Sequence, residues 1–165
     1  MTVEQIVQTL KLQPHPEGGF YKEVYRSIGM VAQNCLEGNF NGKRNYATSI
    51  YYLLEKGDFS AFHRISSDEI WHHYMGGNLL IHSLDENGNY TRNVLGSSIG
   101  EGAALQVVIP ARHWFASEPA PGTEFILAGC TVSPGFDFQD FELADKTTLL
   151  KQFPDQAELI RRLCR

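Results

Sequence analysis

The chain has 165 residues, 42% apolar and 20% charged, which suits one folded domain with a sizeable core and excludes a disordered chain. Fourteen basic against 19 acidic side chains leave a net charge of −5, which argues against a nucleic-acid partner. Cys35, Cys130 and Cys164 form no CxxC pair, the first residues lack the build of a signal peptide, and no apolar run nears the ~20 residues of a membrane helix, so a reduced, cytoplasmic protein without a membrane segment is expected.

Residues 2–12 read as a short helix. Thr2 caps it, Gln5 completes a capping box, and Val3, Ile6, Val7 and Leu10 share one face. Pro14 and Pro16 end it, Gly18 and Gly19 make a turn, and Phe20–Arg26 reads as a strand. Residues 29–43, rich in Gly and Asn, read as a long mobile loop that serves as a lid or a partner-contact arm. From Asn45 to Val132, short runs of Ile, Val, Tyr and Phe alternate with turn signals, and 89–95 and 105–110 are two of the strands. SPGFDFQDFEL after Val132 reads as an extended segment. DKTTLLKQFP and PDQAELIRRLCR then read as two short helices split by Pro154, with Arg161 and Arg162 at a basic helix end. The expectation is a mainly β, single-domain fold over 1–165, with a barrel core at about 20–143 and C-terminal helices at about 145–164.

The informative stretch is GDFSAFHRISSDEIWHHYMG, with Gly57, five residues, His63, five residues, Glu69, six residues and Gly76. Side chains alternate along a strand, so His63 and Ile65 share one face. On the returning strand Glu69, Trp71 and His73 share a face, with Ile70, His72 and Tyr74 opposite. If His63 and Glu69 point into a barrel, then Ile65, Trp71 and His73 line the same cavity, and polar groups converge in an apolar pocket.

This spacing resembles the first motif of the cupin superfamily, G-x5-H-x-H-x3-E-x6-G, at every fixed position except Ile65, which replaces the second His. HPEGGFYKEVYRS (15–27), TSIYYLL (48–54), FHRISSDEIWHHYMGG (62–77), LQVVIPARHWFAS (105–117) and GCTVSPGFDFQDFEL (129–143) narrow the resemblance to the cupin-5 (DUF985) family of uncharacterised proteins. That resemblance implies a double-stranded β-helix (jelly-roll) barrel, a homodimer, and similarity to dTDP-sugar epimerase-like and seed-storage cupins. It implies no settled activity.

Metal-binding cupins take two His and the Glu of this motif, plus a His from a second motif, G-x5-P-x-G-x2-H. Here Pro110 fits, but Ala104 and Arg112 stand at the glycines and Phe115 at the ligand. That leaves His63 and Glu69, with His73 as a third candidate and His113 as a conceivable fourth, so no metal or other cofactor is expected. The epimerase-like cupins work without a metal and pair a His base with a carboxylate and a Tyr acid. On that pattern His63 and Glu69 (or Asp68) are the catalytic candidates, with Tyr21, Tyr52 or Tyr74 as the acid. Arg26 and Arg64 are candidates to hold an anionic group, although alternation with His63 turns Arg64 outward. Gln106 and Trp114 are further pocket candidates. His15 and Glu17 read as turn residues, and Phe136, Asp137 and Phe138 as closing the barrel or an interface. The functional expectation is a metal-independent isomerase, epimerase or lyase on a small polar, sugar-like metabolite. The alternatives are a non-catalytic ligand-binding or sensing cupin and, third, a metal-dependent cupin enzyme.

Overall fold

A computed structural model describes residues 1–38 and 40–165. In chain order the elements are α1 (Val3–Leu10), β1 (Gln13–Pro14), β2 (Phe20–Arg26), β3 (Met30–Val31), β4 (Arg44–Asn45), β5 (Thr48–Glu55), β6 (Ser60–Arg64) and β7 (Asp68–Gly76). They continue as β8 (Leu79–Leu84), β9 (Tyr90–Leu95), β10 (Gln106–Ile109), β11 (Trp114–Pro119), β12 (Phe125–Ser133), β13 (Glu142–Leu143), α2 (Lys146–Gln152) and α3 (Ala157–Leu163).

The strands build a six-stranded sheet, β1-β2-β5-β12-β7-β10, and a five-stranded sheet, β13-β6-β11-β8-β9, with antiparallel pairing throughout both. This is the expected jelly roll. Alternation divides its side chains among three cores. Between the sheets lie Tyr52, Leu54, Trp71, Ile81, Phe115 and Cys130. On the outer face of the five-stranded sheet, Phe62, Leu84, Trp114 and Ala116 pack on Leu149, Phe153, Ile160 and Leu163 of the C-terminal helices. On the outer face of the other sheet, Leu53 and Leu127 take Ile6 of α1. Leu53 and Leu54 are adjacent in β5 and serve opposite cores, as the two-residue period of a strand requires.

The capping box of α1 forms as expected, with Thr2 and Gln5 bonded reciprocally. Pro14, read as a helix stop, also pairs with Phe20, beside Gln13 on Tyr21; the sheet edge tolerates a proline that cannot donate. The 29–43 stretch closes on a short ladder, Met30 on Asn45 and Val31 on Arg44, and contains a 3-10 turn at Gln33–Cys35; its Asn39 lies outside the described residues. Residues 138–140 form a 3-10 turn in place of the expected extended segment, and β13 then pairs with β6 at His63 and Arg64. Arg112, at the motif's second glycine, sits at φ 66, in the left-handed region that favours glycine. No helix among the described residues is long and apolar enough to cross a membrane.

Candidate functional site

A cavity of about 460 Å³ opens between the sheets. Glu17, Tyr52, His63, Ile65, Glu69, Cys130 and Val132 form its buried part, Glu23, Arg26 and Asp137 its more exposed part, and Phe136, Phe138 and Phe141 an aromatic wall.

His63 projects inward from β6, in register with Phe115 of β11, and the two rings stand 4.0 Å apart between centroids. Its Nδ1 lies 2.8 Å from the Ala61 carbonyl oxygen and its Nε2 lies 3.1 Å from Glu17 Oε2. A carbonyl only accepts, so Nδ1 carries a hydrogen. A lone pair on Nε2 facing a carboxylate oxygen would be repulsive. The His63–Glu17 pair therefore shares a proton between Nε2 and Oε2, and both nitrogens of His63 are committed.

Glu17 is 5% exposed and reaches the cavity from the turn before β2. Ser60 donates to its Oε1 at 2.9 Å. The turn is fixed on every side. The Glu17 carbonyl accepts from the Ala61 N–H at 2.8 Å and from Arg165 Nε at 3.2 Å. The Gly19 N–H donates to Asp58 Oδ2 at 2.8 Å, and Arg165 donates to Asp58 Oδ1 at 2.5 Å. Gly18 and Gly19 have φ of 121 and 69, and a Cβ on Gly18 would strike the Phe59 carbonyl. The two glycines let the chain turn tightly enough to bury the preceding carboxylate. His15 Nδ1 accepts the Glu17 N–H at 3.3 Å, and burial lowers the pKa of His15, so this imidazole is neutral with its hydrogen on Nε2.

Glu69 enters from β7. Burial, and then the charge of Glu17, push its pKa up to about 8, while a hydrogen bond from the Cys130 thiol acts the other way. At neutral pH Glu69 is a carboxylic acid and a hydrogen-bond donor. Burial and then the neighbouring Glu69 raise the Cys130 thiol well above its usual range, which keeps it protonated. Tyr52 is likewise pushed up by burial, and its hydroxyl donates to the Gly18 carbonyl at 2.7 Å.

Of the residues proposed from sequence, His63, Glu69, Ile65, Tyr52, Tyr21 and Arg26 line this cavity, and Trp71, His73, Gln106 and Trp114 do not. Trp71 is core, edge-on to Tyr52 and Phe115. His73 lies beyond Trp71 on β7, in regular register with Ala128, and a bulge follows it with Tyr74 as the extra residue. Gln106 faces outward and donates to His72 Nδ1 at 3.1 Å, because β10 pairs Gln106 with the outward His72. Trp114 packs against the C-terminal helices with the Arg64 guanidinium 4.4 Å from its ring, and Arg64 pairs with Glu142. Tyr74 is exposed, and Asp68 accepts the Ala111 N–H. Among the cavity residues that sequence reasoning did not assign to the pocket are His15, Glu17, Glu23, Cys130, Asp137 and Phe141. The adjacent Gly18-Gly19 was the one local signal for Glu17.

The motif positions do not fit the metal that the fold implies. Both nitrogens of His63 are committed, and Ile65 and Phe115 bring only hydrocarbon. No group of three or more His, Cys, Asp or Glu among the described residues is arranged to hold a metal ion.

Comparison with known proteins agrees with this architecture. The family described as cupin superfamily (DUF985) matches residues 4–144. The uncharacterised protein YML079W of Saccharomyces cerevisiae is 30% identical over an alignment 148 residues long that covers 84% of this chain and 73% of the yeast protein. The crystal structure of protein SO0799 from Shewanella oneidensis superposes with a TM-score of 0.88 at 35% identity, covering 100% of this chain and 98% of that one. A hypothetical protein from Leishmania major gives 0.90 at 33% identity, covering 99% of each chain. Oxalate decarboxylase from Bacillus subtilis, at 16% identity and a TM-score of 0.54 over 91% of this chain and 36% of that one, shares the fold alone.

Proposed function

We propose, for a chain that belongs to the cupin superfamily (DUF985), that the cavity binds a small polar, sugar-like metabolite and moves a proton on it without a metal, as an isomerase, epimerase or lyase does. The observation that carries this reading is two carboxyl groups in unlike surroundings in one cavity. Glu17 accepts from Ser60 and shares a proton with His63, while Glu69 stays protonated with a pKa of about 8. Two acids whose surroundings separate their protonation divide into base and acid.

In this reading Glu17 takes the proton from the carbon beside the substrate carbonyl. The Glu69 O–H donates to the carbonyl oxygen as negative charge develops there. Return of the proton to the neighbouring carbon isomerises the chain, the substrate hydroxyl giving its proton back to Glu69; epimerisation needs delivery of a proton to the opposite face, for which the Glu69 O–H is the available donor. His63 stands behind Glu17 as its partner. Sequence spacing gives His63 the role of base and Glu69 that of its carboxylate; the committed nitrogens of His63 favour this exchange of roles. A binding-only reading has one observation in its favour: the Tyr52 hydroxyl is tied to the Gly18 carbonyl and offers no free acid.

The test is deuterium wash-in from D2O into a panel of aldoses, ketoses, nucleotide sugars and keto acids, followed by NMR. Glu17→Gln and Glu69→Gln are each expected to slow exchange by ~10²–10⁴-fold, the usual worth of a positioned acid or base. Ligands that raise the melting temperature of the wild type yet exchange no hydrogen would remove the catalytic part and leave binding. The proposal includes a homodimer: Tyr74 and Val108 are exposed on the outer face of the six-stranded sheet. Elution as a monomer at micromolar concentration would contradict it.

A further inference from the structure

We infer that the cavity selects uncharged, hydroxylated ligands and rejects phosphorylated or carboxylated ones, because Arg26, the one arginine or lysine among the described residues that line it, is already paired with Glu23. The inference rests on the cavity being a metabolite site, and it separates this chain from the nucleotide-sugar chemistry that its resemblance to epimerase-like cupins suggests.

Arg26 is the only arginine or lysine among the described lining residues. Its Nε and Nη2 donate to the two Glu23 carboxylate oxygens at 2.9 and 2.7 Å. Its Nη1 donates to Asn45 Oδ1 at 2.9 Å and to the Phe136 carbonyl at 3.1 Å. Four of its five N–H groups are thereby used, and the two-pronged face that would grip a phosphate or a carboxylate is occupied by Glu23. The two imidazoles offer no substitute. His15 accepts the Glu17 N–H through Nδ1, and His63 faces Glu17. Four carboxyl groups (Glu17, Glu23, Glu69 and Asp137) line the same space. An anionic group entering it would lose its hydration and find Arg26 already held by Glu23, with the Asp137 carboxylate in the same space, and a charge left unpaired in a poorly hydrated site costs several powers of ten in affinity. Hydroxyl groups meet donors and acceptors without that cost. Tyr21, Phe136, Phe138 and Phe141 supply flat apolar surface for the ring of a ligand.

The experiment is a matched-pair binding assay on wild type and Glu23→Gln, by thermal shift and then calorimetry. The probes are glucose, fructose and xylose, each beside its phosphate ester, together with dTDP-glucose. The wild type should bind at least one neutral sugar and its phosphate ester ~100-fold or more weakly. Glu23→Gln, a half-exposed change that releases Arg26, should narrow that ratio at least tenfold. A wild type that binds a phosphate ester or dTDP-glucose as tightly as the neutral sugar, or binds no neutral probe, overturns the inference, as does an unchanged ratio in Glu23→Gln. Arg26→Gln is the companion variant, and a loss of phosphate-ester binding to the wild type on this change would also overturn it. Failure of the proton-transfer reading looks different: neutral sugars would bind with the expected charge preference but exchange no hydrogen.

Discussion

Changing Glu69 to Gln should make the protein more stable, and increasingly so as pH rises. Glu69 titrates at about 8 in the folded chain against a reference value of 4.5, chiefly through burial and secondly through Glu17. Below pH 4.5 it is protonated in both states and costs nothing. Between pH 4.5 and 8 the unfolded chain releases the proton and the folded chain keeps it, so unfolding stability falls by ~1.4 kcal/mol per pH unit. Above pH 8 the loss is complete, at roughly 5 kcal/mol for a difference of about 3.5 units. Glu69→Gln keeps the shape of the acid form and has no proton to lose, so its advantage should grow from near zero at pH 4.5 to a plateau above pH 8. Urea unfolding of both proteins at each pH unit from 4 to 9 measures it. At this chain length each kcal/mol should also move the melting temperature by about 2–4 °C. Two stability curves that stay parallel across this range would refute the reasoning, since no proton would then be held differently by the folded state.

Breaking the buried Arg44–Asp140 pair, whose side chains are 3% and 5% exposed and meet at 2.6 and 2.7 Å, should cost ~3–5 kcal/mol in Asp140→Asn by urea unfolding; a cost under ~1 kcal/mol would show that the pair does not hold the 137–143 segment. Trp114→Ala should cost ~3–5 kcal/mol in stability and leave ligand affinity per folded molecule unchanged, because Trp114 packs on the C-terminal helices and not in the cavity. Protein purified without chelator should carry less than ~0.1 equivalent of transition metal, and Ile65→His with Phe115→His, which restores both motif ligands, should raise that by mass spectrometry; near-stoichiometric metal in the wild type would contradict the donor argument.

Local rules carried much of the architecture. The Thr2–Gln5 capping box, the two-residue alternation that puts His63 beside Ile65, and Pro154 between the last two helices each depend on neighbours within a few positions, and all stand in the structure. Alternation also required that Trp114 and Phe115 face opposite ways. It could not say which one faces the cavity; that was decided by β11 placing Phe115 opposite His63. Gln106 was lost to the outer face for the same reason, through its register with His72, and His73 because it lies two residues past Trp71 along β7, away from the cavity. The partner of His63 is the clearest case. Sequence spacing offered Glu69, six positions away on the returning strand. The fold instead brings Glu17 to the imidazole, from a Gly-Gly turn fastened by Asp58 and Arg165, and leaves Glu69 buried without a cation. The residues at the site were written in the chain, but which carboxyl meets an imidazole and which keeps its proton depends on burial and long-range contact, and only the tertiary structure sets those.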